Sequence, residues 1–338
     1  NLKKDDGLYG DPSDPYGPYA SASSSSSRYK SSNFSVFGNL DYLLSASLKF
    51  SIGLRWEDWE ADYSDSLNES FNPADKMSGG KISLIKSMTN ETNIYASLAK
   101  GYKQGGFNLG LGLDANSTNQ NLAYDPEFLT NYELGINTKL LDSKINFNGV
   151  IFYSYREDQQ VLISTQTDPS DPNTFSFLTQ NAAEGVNHGL EINMDIDIRE
   201  SLSAFLNLGM LKTEIKNWQS RQDLEGRAQA HAPEKSYALG LNWAPTSDTY
   251  LAIDFTGKSS FYYSDSHNNK SKSYVLTNLN LGYVKNNWSY ELWARNVFDE
   301  YYSVRGFYFG NEAPNFIDTL YERHGDPRNI GFSIRYDF

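Results

Sequence analysis

The 338-residue chain contains no cysteine. That absence removes disulfides, thiolate metal sites and a cysteine nucleophile together. Long apolar runs are lacking too, and with no stretch of eighteen or more such residues a membrane-spanning helix is excluded. Histidine is scarce, and His188, His231, His267 and His324 show no metal-ligand spacing. Basic charge is in deficit: 29 Lys and Arg stand against 42 Asp and Glu, a formal net charge of -13, which speaks against nucleic acid as a partner. A Gly-x-Ser-x-Gly nucleophile elbow is absent. The glycine-rich Lys100-Gly101-Tyr102-Lys103-Gln104-Gly105-Gly106 follows a strand pattern and opens a polar loop, without the helix that a phosphate cradle needs. No cofactor, metal or catalytic group is therefore expected. No secretion leader is visible at Asn1, so a mature chain or a fragment is expected.

What the chain has in excess is aromatic rings: 24 Tyr, 19 Phe and 6 Trp, 14% of all residues. Amphipathic rings suit membrane-water boundaries. The last residues, Gly331 to Phe338, alternate strictly: Phe332, Ile334, Tyr336 and Phe338 share one face, while Ser333, Arg335 and Asp337 share the other. An aromatic-rich strand left as a free soluble edge would invite aggregation. A closed transmembrane barrel removes that edge and turns the apolar face to lipid. A mean hydropathy of -0.59 fits such a barrel, because only alternate strand residues need be apolar.

The same alternation recurs along the chain. Leu190, Ile192, Met194, Ile196 and Ile198 are expected to face lipid and to look exposed in isolation, with Glu191, Asp195 and Asp197 in the lumen. Tyr132, Leu134, Ile136, Thr138 and Leu140 oppose Glu133, Asn137 and Lys139 in the same way. Short turns are read at 44–45, 90–92, 141–144, 199–201, 245–248 and 285–287, and long polar connections at 62–75, 106–127, 167–174, 217–231, 263–271 and 309–326. Short turns on one side and long loops on the other are the asymmetry of an outer-membrane barrel. The fold class is accordingly all-β, an antiparallel transmembrane β-barrel with about thirteen strands present. An odd count leaves at least one earlier strand to be expected, since bacterial barrels close with even numbers. Residues 1–32 are read as an extracellular loop segment and 33–338 as barrel.

Several segments together resemble one family. They are Ala99 to Asn108, Asn131-Tyr132-Glu133-Leu134-Gly135, Gly189-Leu190-Glu191-Ile192, Arg295-Asn296-Val297-Phe298-Asp299-Glu300-Tyr301-Tyr302 and Gly325-Asp326-Pro327-Arg328, followed by the terminal Phe338. In this order and spacing the chain resembles the carboxyl-terminal part of a TonB-dependent outer-membrane receptor. The resemblance implies a bacterial outer-membrane barrel of 22 strands, filled by an amino-terminal plug. It also implies import of a scarce nutrient, foremost a ferric siderophore, energised by the TonB-ExbB-ExbD system through the plug. Outer-membrane lipid and lipopolysaccharide would surround it. The plug, the TonB-contacting segment and about nine strands of that pattern are not in this sequence.

Ligand-binding residues are expected among loop aromatics and cations, which suit an anionic, ring-bearing chelate. They are Arg221, Arg227, His231, Tyr262, Tyr263, Arg305, Tyr308, Phe309 and Arg323, with Tyr16, Tyr19 and His324 beside them. The Asp-Pro-Ser-Asp-Pro stretches at 11–15 and 168–172 read first as proline-fixed turns, with calcium ligation through their clustered carboxylates the lesser alternative. Two other classes are open. A passive porin of about sixteen strands would need little more sequence than this. A barrel enzyme would use a Ser-His pair at the rim, with His188 as its histidine.

Overall fold

A computed structural model describes residues 2–6, 23–66, 70–108, 123–166, 175–218, 221–265, 267–310, 312 and 314–338. The strands are β1 (Leu2–Asp6), β2 (Ser23–Ser45), β3 (Leu48–Asp65), β4 (Ser70–Phe71), β5 (Ala74–Ser87), β6 (Thr92–Lys103), β7 (Gly106–Phe107), β8 (Ala123–Tyr124), β9 (Glu127–Leu140) and β10 (Ile145–Gln166). They continue as β11 (Phe175–Arg199), β12 (Leu202–Asn217), β13 (Lys235–Thr246), β14 (Thr249–Lys258), β15 (Tyr274–Lys285), β16 (Trp288–Arg295), β17 (Ser303–Phe309), β18 (Thr319–His324) and β19 (Asn329–Tyr336). Among the described residues the only helical element is a single 3-10 turn, Gln222–Leu224.

One antiparallel sheet runs β1-β2-β3-β5-β6-β9-β10-β11-β12-β13-β14-β15-β16-β19, and thirteen of these strands are long. Neighbours in sequence are neighbours in space, as a meander of hairpins requires. All six turns found in the sequence lie where strands reverse, although the first closes at Ala46 and Ser47, just beyond the predicted pair. Strands proved longer than alternation suggested. β2 starts at Ser23, ten residues before the clear apolar pattern, because Ser-rich chain pairs as readily as apolar chain does: Ser23–Ser27 pair with β1, and the chain from Ser27 onward with β3.

Register explains how sequence becomes a membrane surface. Directly paired residues point to the same side, so rows can be followed across strands. One row reads Leu140, Ile145, Ile196, Ala204, Leu241, Ile253, Leu279, Ala294 and Ile330 from β9 to β19. The next reads Leu202, Trp243, Leu251, Leu281, Leu292 and Phe332. Moving one residue along each strand gives the opposite face, where Asn93, Asn137, Asn148, Asn193 and Asn207 form an unbroken amide row from β6 to β12. A continuous apolar belt backed by a polar face defines a transmembrane barrel wall.

Exposure follows the same logic with one correction. Leu54, Ile330 and Phe332 are each about 60% exposed or more, as lipid-facing residues must look in water. Leu190, Ile192, Met194 and Ile196 are instead half-buried, because large partners on both sides, such as Ile151 and Met210 around Leu190, cover them laterally. Only Ile198, at a bulge between Asp197 and Arg199, is open. Their alternates Glu191, Asp195 and Asp197 are exposed on the polar face.

The fully buried residues cluster toward the long-loop end. Trp59, Ala61 and Met77 pack with Tyr102, while Ala183, Ile215, Trp218 and Leu224 pack with Val161. Order in the structure therefore extends beyond the membrane belt.

Candidate functional site in the extracellular loops

Three connections converge at the long-loop end of β12 to β18: residues 218–234, 259–273 and the β17-β18 hairpin, whose second strand β18 lies inside the connection read as irregular at 309–326. Arg227 is the hub. Its side chain is only 8% exposed and pairs with Asp265 at 3.1 Å. It also donates to the carbonyls of His267 and Ser264 and to Asn268 Oδ1, at 2.8–3.0 Å. Its guanidinium lies 4.4 Å from the Tyr262 ring centre, and Lys270 covers that ring at 4.1 Å. Desolvated pairs of this kind hold loops firmly, because removing one partner strands a buried charge.

The remaining predicted residues surround this hub. His231, in a left-handed conformation (φ 55°), donates its backbone N–H to the Tyr262 carbonyl at 2.8 Å and packs its ring on Phe261. Tyr263 is buried, and its hydroxyl donates to Glu322 of β18, tying the second loop to the hairpin. Burial and that carboxylate push the Tyr263 phenol up to about 12. His267, which was not among the predicted ligand residues, is held below the usual histidine range by burial and by the nearby Arg227 charge, and it packs on Tyr308. Arg221 forms a two-pronged pair with Asp223, both bonds 2.9 Å, and feels Asp265 as well.

The hairpin presents the outward-facing set. Arg305 covers Phe307 at 4.6 Å, Arg323 is paired with it across the strands, and Tyr308 is 44% exposed. Phe309 packs on Tyr321. Tyr16, Tyr19 and both Asp-Pro-Ser-Asp-Pro segments lie outside the described residues. His188 sits within β11, its ring 6.3 Å from the Tyr153 ring, and Lys212 is its register partner on β12. The serine-histidine contact among the described residues is elsewhere: Ser303 Oγ lies 3.1 Å from His324 Nδ1, with Tyr301 at 2.5 Å from Nε2. A phenol there is no substitute for the orienting carboxylate of a triad.

Two contacts were invisible to sequence reading because they join distant segments. Asn108 grips Thr179 through both amide atoms, 2.7 and 2.9 Å, fastening the connection after β7 to β11. On the polar face Glu57 receives Tyr102 at 2.8 Å, Arg55 at 2.6 Å and Asn33. The segments around Asn296 also gain a physical meaning. Asn296 is 4% exposed and left-handed (φ 48°), a conformation that asparagine tolerates. It bonds Glu300 in both directions and the Asp326 carbonyl at 3.1 Å, while Asp299 accepts the Arg328 N–H at 2.8 Å. These bonds lock the chain's approach to β19 against the end of β16.

Strand length, hairpin order and the apolar belt define the class as a transmembrane β-barrel wall of the bacterial outer membrane. Residues 2–297 match the family described as TonB dependent receptor-like, beta-barrel, and the chain belongs to that family. Its relatives include the pesticin receptor of Yersinia pestis, 23% identical over 77% of this chain and 36% of the relative. The metal-pseudopaline receptor of Pseudomonas aeruginosa is 22% identical over 76% and 33%. The chain thus spans about a third of the length of these curated relatives. Among solved structures, the ferric yersiniabactin uptake receptor of Yersinia pestis superposes with a TM-score of 0.75 at 19% identity, covering 93% of this chain and 47% of that one. The siderophore receptor of Acinetobacter baumannii gives 0.72 at 17% identity, covering 91% and 43%. At these identities the likeness concerns the fold.

Proposed function

We propose that the complete protein imports a ferric siderophore across the outer membrane, energised by TonB-ExbB-ExbD through an amino-terminal plug seated against the polar face. The observation that carries this reading is the ordered loop cluster, in which a buried Arg227 framework holds up an exposed Arg305, Arg323 and Tyr308 edge. Cations beside rings recognise an anionic, aromatic chelate through charge and stacking. Arg221 and Phe309 extend that edge, whereas Arg227, His231, Tyr262 and Tyr263 keep the loops in register. Family membership and the names of the relatives, a metal-pseudopaline receptor, a ferric yersiniabactin uptake receptor and a siderophore receptor, support the same class of cargo.

Deleting the gene in an iron-limited host should abolish uptake of one particular chelate. Uptake should fall equally in a TonB-deficient strain, with no additive effect of the two lesions. Uptake that ignores TonB would establish a passive porin instead. Loss of a surface lipase or protease activity with all iron and cobalamin uptake intact would establish the enzyme.

A further inference from the structure

The β17-β18 hairpin has two faces, and one of them is docked. Directly paired residues share a face, so Gly306, Tyr308, Leu320 and Glu322 stand on one side, and Arg305, Phe307, Tyr321 and Arg323 on the other. The first side rests on the 259–273 loop. The Tyr263 ring fills the place that a side chain on Gly306 would take, the Tyr263 hydroxyl donates to Glu322, and the His267 ring lies 5.8 Å from that of Tyr308. Of the two loop residues that make this dock, histidine is the one whose ordinary titration falls near neutral pH.

The surroundings of His267 fit a neutral ring. Its Nδ1 accepts the Asn269 N–H at 3.2 Å, which needs a lone pair that an imidazolium lacks. The ring proton then sits on Nε2, which is buried without a hydrogen-bond partner among the described residues. Positive charge is already at hand: Arg227 donates to the His267 carbonyl at 2.9 Å, and Lys270 covers Tyr262 on the same loop. The carboxylates that reach this packing are engaged, Asp265 by Arg227 and the Ala230 N–H, Glu322 by Tyr263. Arg221 is paired with Asp223, while Arg305 and Arg323 stand on the hairpin's other face, with Glu312 beside Tyr321. Burial and Arg227 together oppose protonation of His267, and the Gly306 backbone offsets them only in part.

We propose that His267 is an acid-released latch: neutral, it holds the β17-β18 hairpin on the 259–273 loop, and protonated, it lets the hairpin swing away. The sign follows from linkage. With the hairpin released, His267 meets water and titrates near its ordinary 6.5, whereas in the docked state it titrates lower. Docking is therefore complete above about 6.5 and is lost as the pH falls through the docked value. One proton changes the docking equilibrium by at most about tenfold per pH unit. The latch concerns the loops alone; its consequence for cargo, weaker capture in acid, rests on the function proposed above.

Spin labels attached through Lys272→Cys and Thr319→Cys, both exposed positions, would report the distance from loop to hairpin in the full-length receptor, without cargo, at about pH 7.5 and about pH 5, either side of the histidine range. Heat-modifiable electrophoresis would check the barrel. With His267 present the distance should be narrow at the higher pH and become longer and broad at the lower. His267→Asn keeps an acceptor oxygen in the place of Nδ1 and cannot charge, so it should stay narrow at both. His267→Arg carries a permanent charge and should be broad at both. The other histidines of these loops, His231 on Phe261 and His324 beside Ser303, are left in place, so a transition that survives in His267→Asn overturns the latch. A distance that stays narrow in acid with His267 present overturns it as well, whether or not His267→Arg folds. Because no cargo enters the measurement, failure of the import reading leaves this result standing.

Discussion

Leu241 and Asn242 are adjacent in β13 but belong to opposite faces, which allows the membrane assignment to be tested at one height. Leu241 lies between Ala204 and Ile253 in the apolar row, and Asn242 lies between Ser203 and Ala252 on the polar side. Leu241 is six residues above the turn at Ser247. At about 3.4 Å per residue and a tilt of about 40° it stands roughly 16 Å above the turn, near the middle of an apolar band about 25 Å tall. Arginine on the lipid face at that depth costs about 2–4 kcal/mol, against almost nothing on a wet lumen wall. The small neighbours of Asn242 leave room for the longer side chain. Equilibrium refolding of the full-length receptor from urea into phospholipid vesicles should therefore show Leu241→Arg destabilised by about 3 kcal/mol, roughly a 150-fold shift in the folding constant. Asn242→Arg should fall within about 0.5 kcal/mol of wild type. Equal penalties, or a larger one at Asn242, would mean that the faces are assigned backwards or that the sheet is a soluble sandwich.

Asn296→Ala should lose about 2 kcal/mol, because it leaves the Glu300 and Asp326 carbonyls and the Glu300 N–H without their partner; the same refolding assay measures it. Arg227→Ala should free the 259–273 loop, read as faster limited proteolysis there with the barrel's own unfolding unchanged, since its partners Asp265, Ser264 and His267 all lie in that loop. Tyr263 gives a pH test. Its folded pKa of about 12 stands above the ordinary 10, so the folded state holds the proton longer and loop stability falls as pH rises from about 10 through about 12. Absorbance titration of the phenolates should lose one late-titrating group in Tyr263→Phe. An early midpoint for that group would refute the Glu322 bond.

The wall of this protein was legible from sequence because a barrel repeats one instruction. Each strand must alternate, each short turn must carry turn residues, and an error of one position would turn every side chain to the wrong medium. Leu190 to Ile198 and the terminal Phe332 to Phe338 therefore reported their faces directly. Strand ends were less legible. Above the belt no apolar requirement remains, so β2 continues through serine, and β18, inside a stretch that looked irregular, pairs with β17 just before it. Pairing there follows from continuation of neighbouring strands, and no local pattern announces it.

The loop site obeys a different rule. Composition pointed to arginines and rings, yet composition cannot separate a group that supports a loop from one that meets a ligand. Arg227 and Arg305 look alike in sequence. One is sunk against Asp265 with its donors turned to three carbonyl or amide oxygens, and the other stands on an open hairpin over Phe307. Their difference was set by Asp265, His267 and Glu322, residues that carry no motif and lie 38 to 59 positions from the groups they hold. Under the proposed function, a buried network fixes where the loops stand and the exposed hairpin edge meets the ligand; on that reading, exchanging Arg305 or Arg323 should alter ligand choice while exchanging Arg227 should weaken every ligand alike.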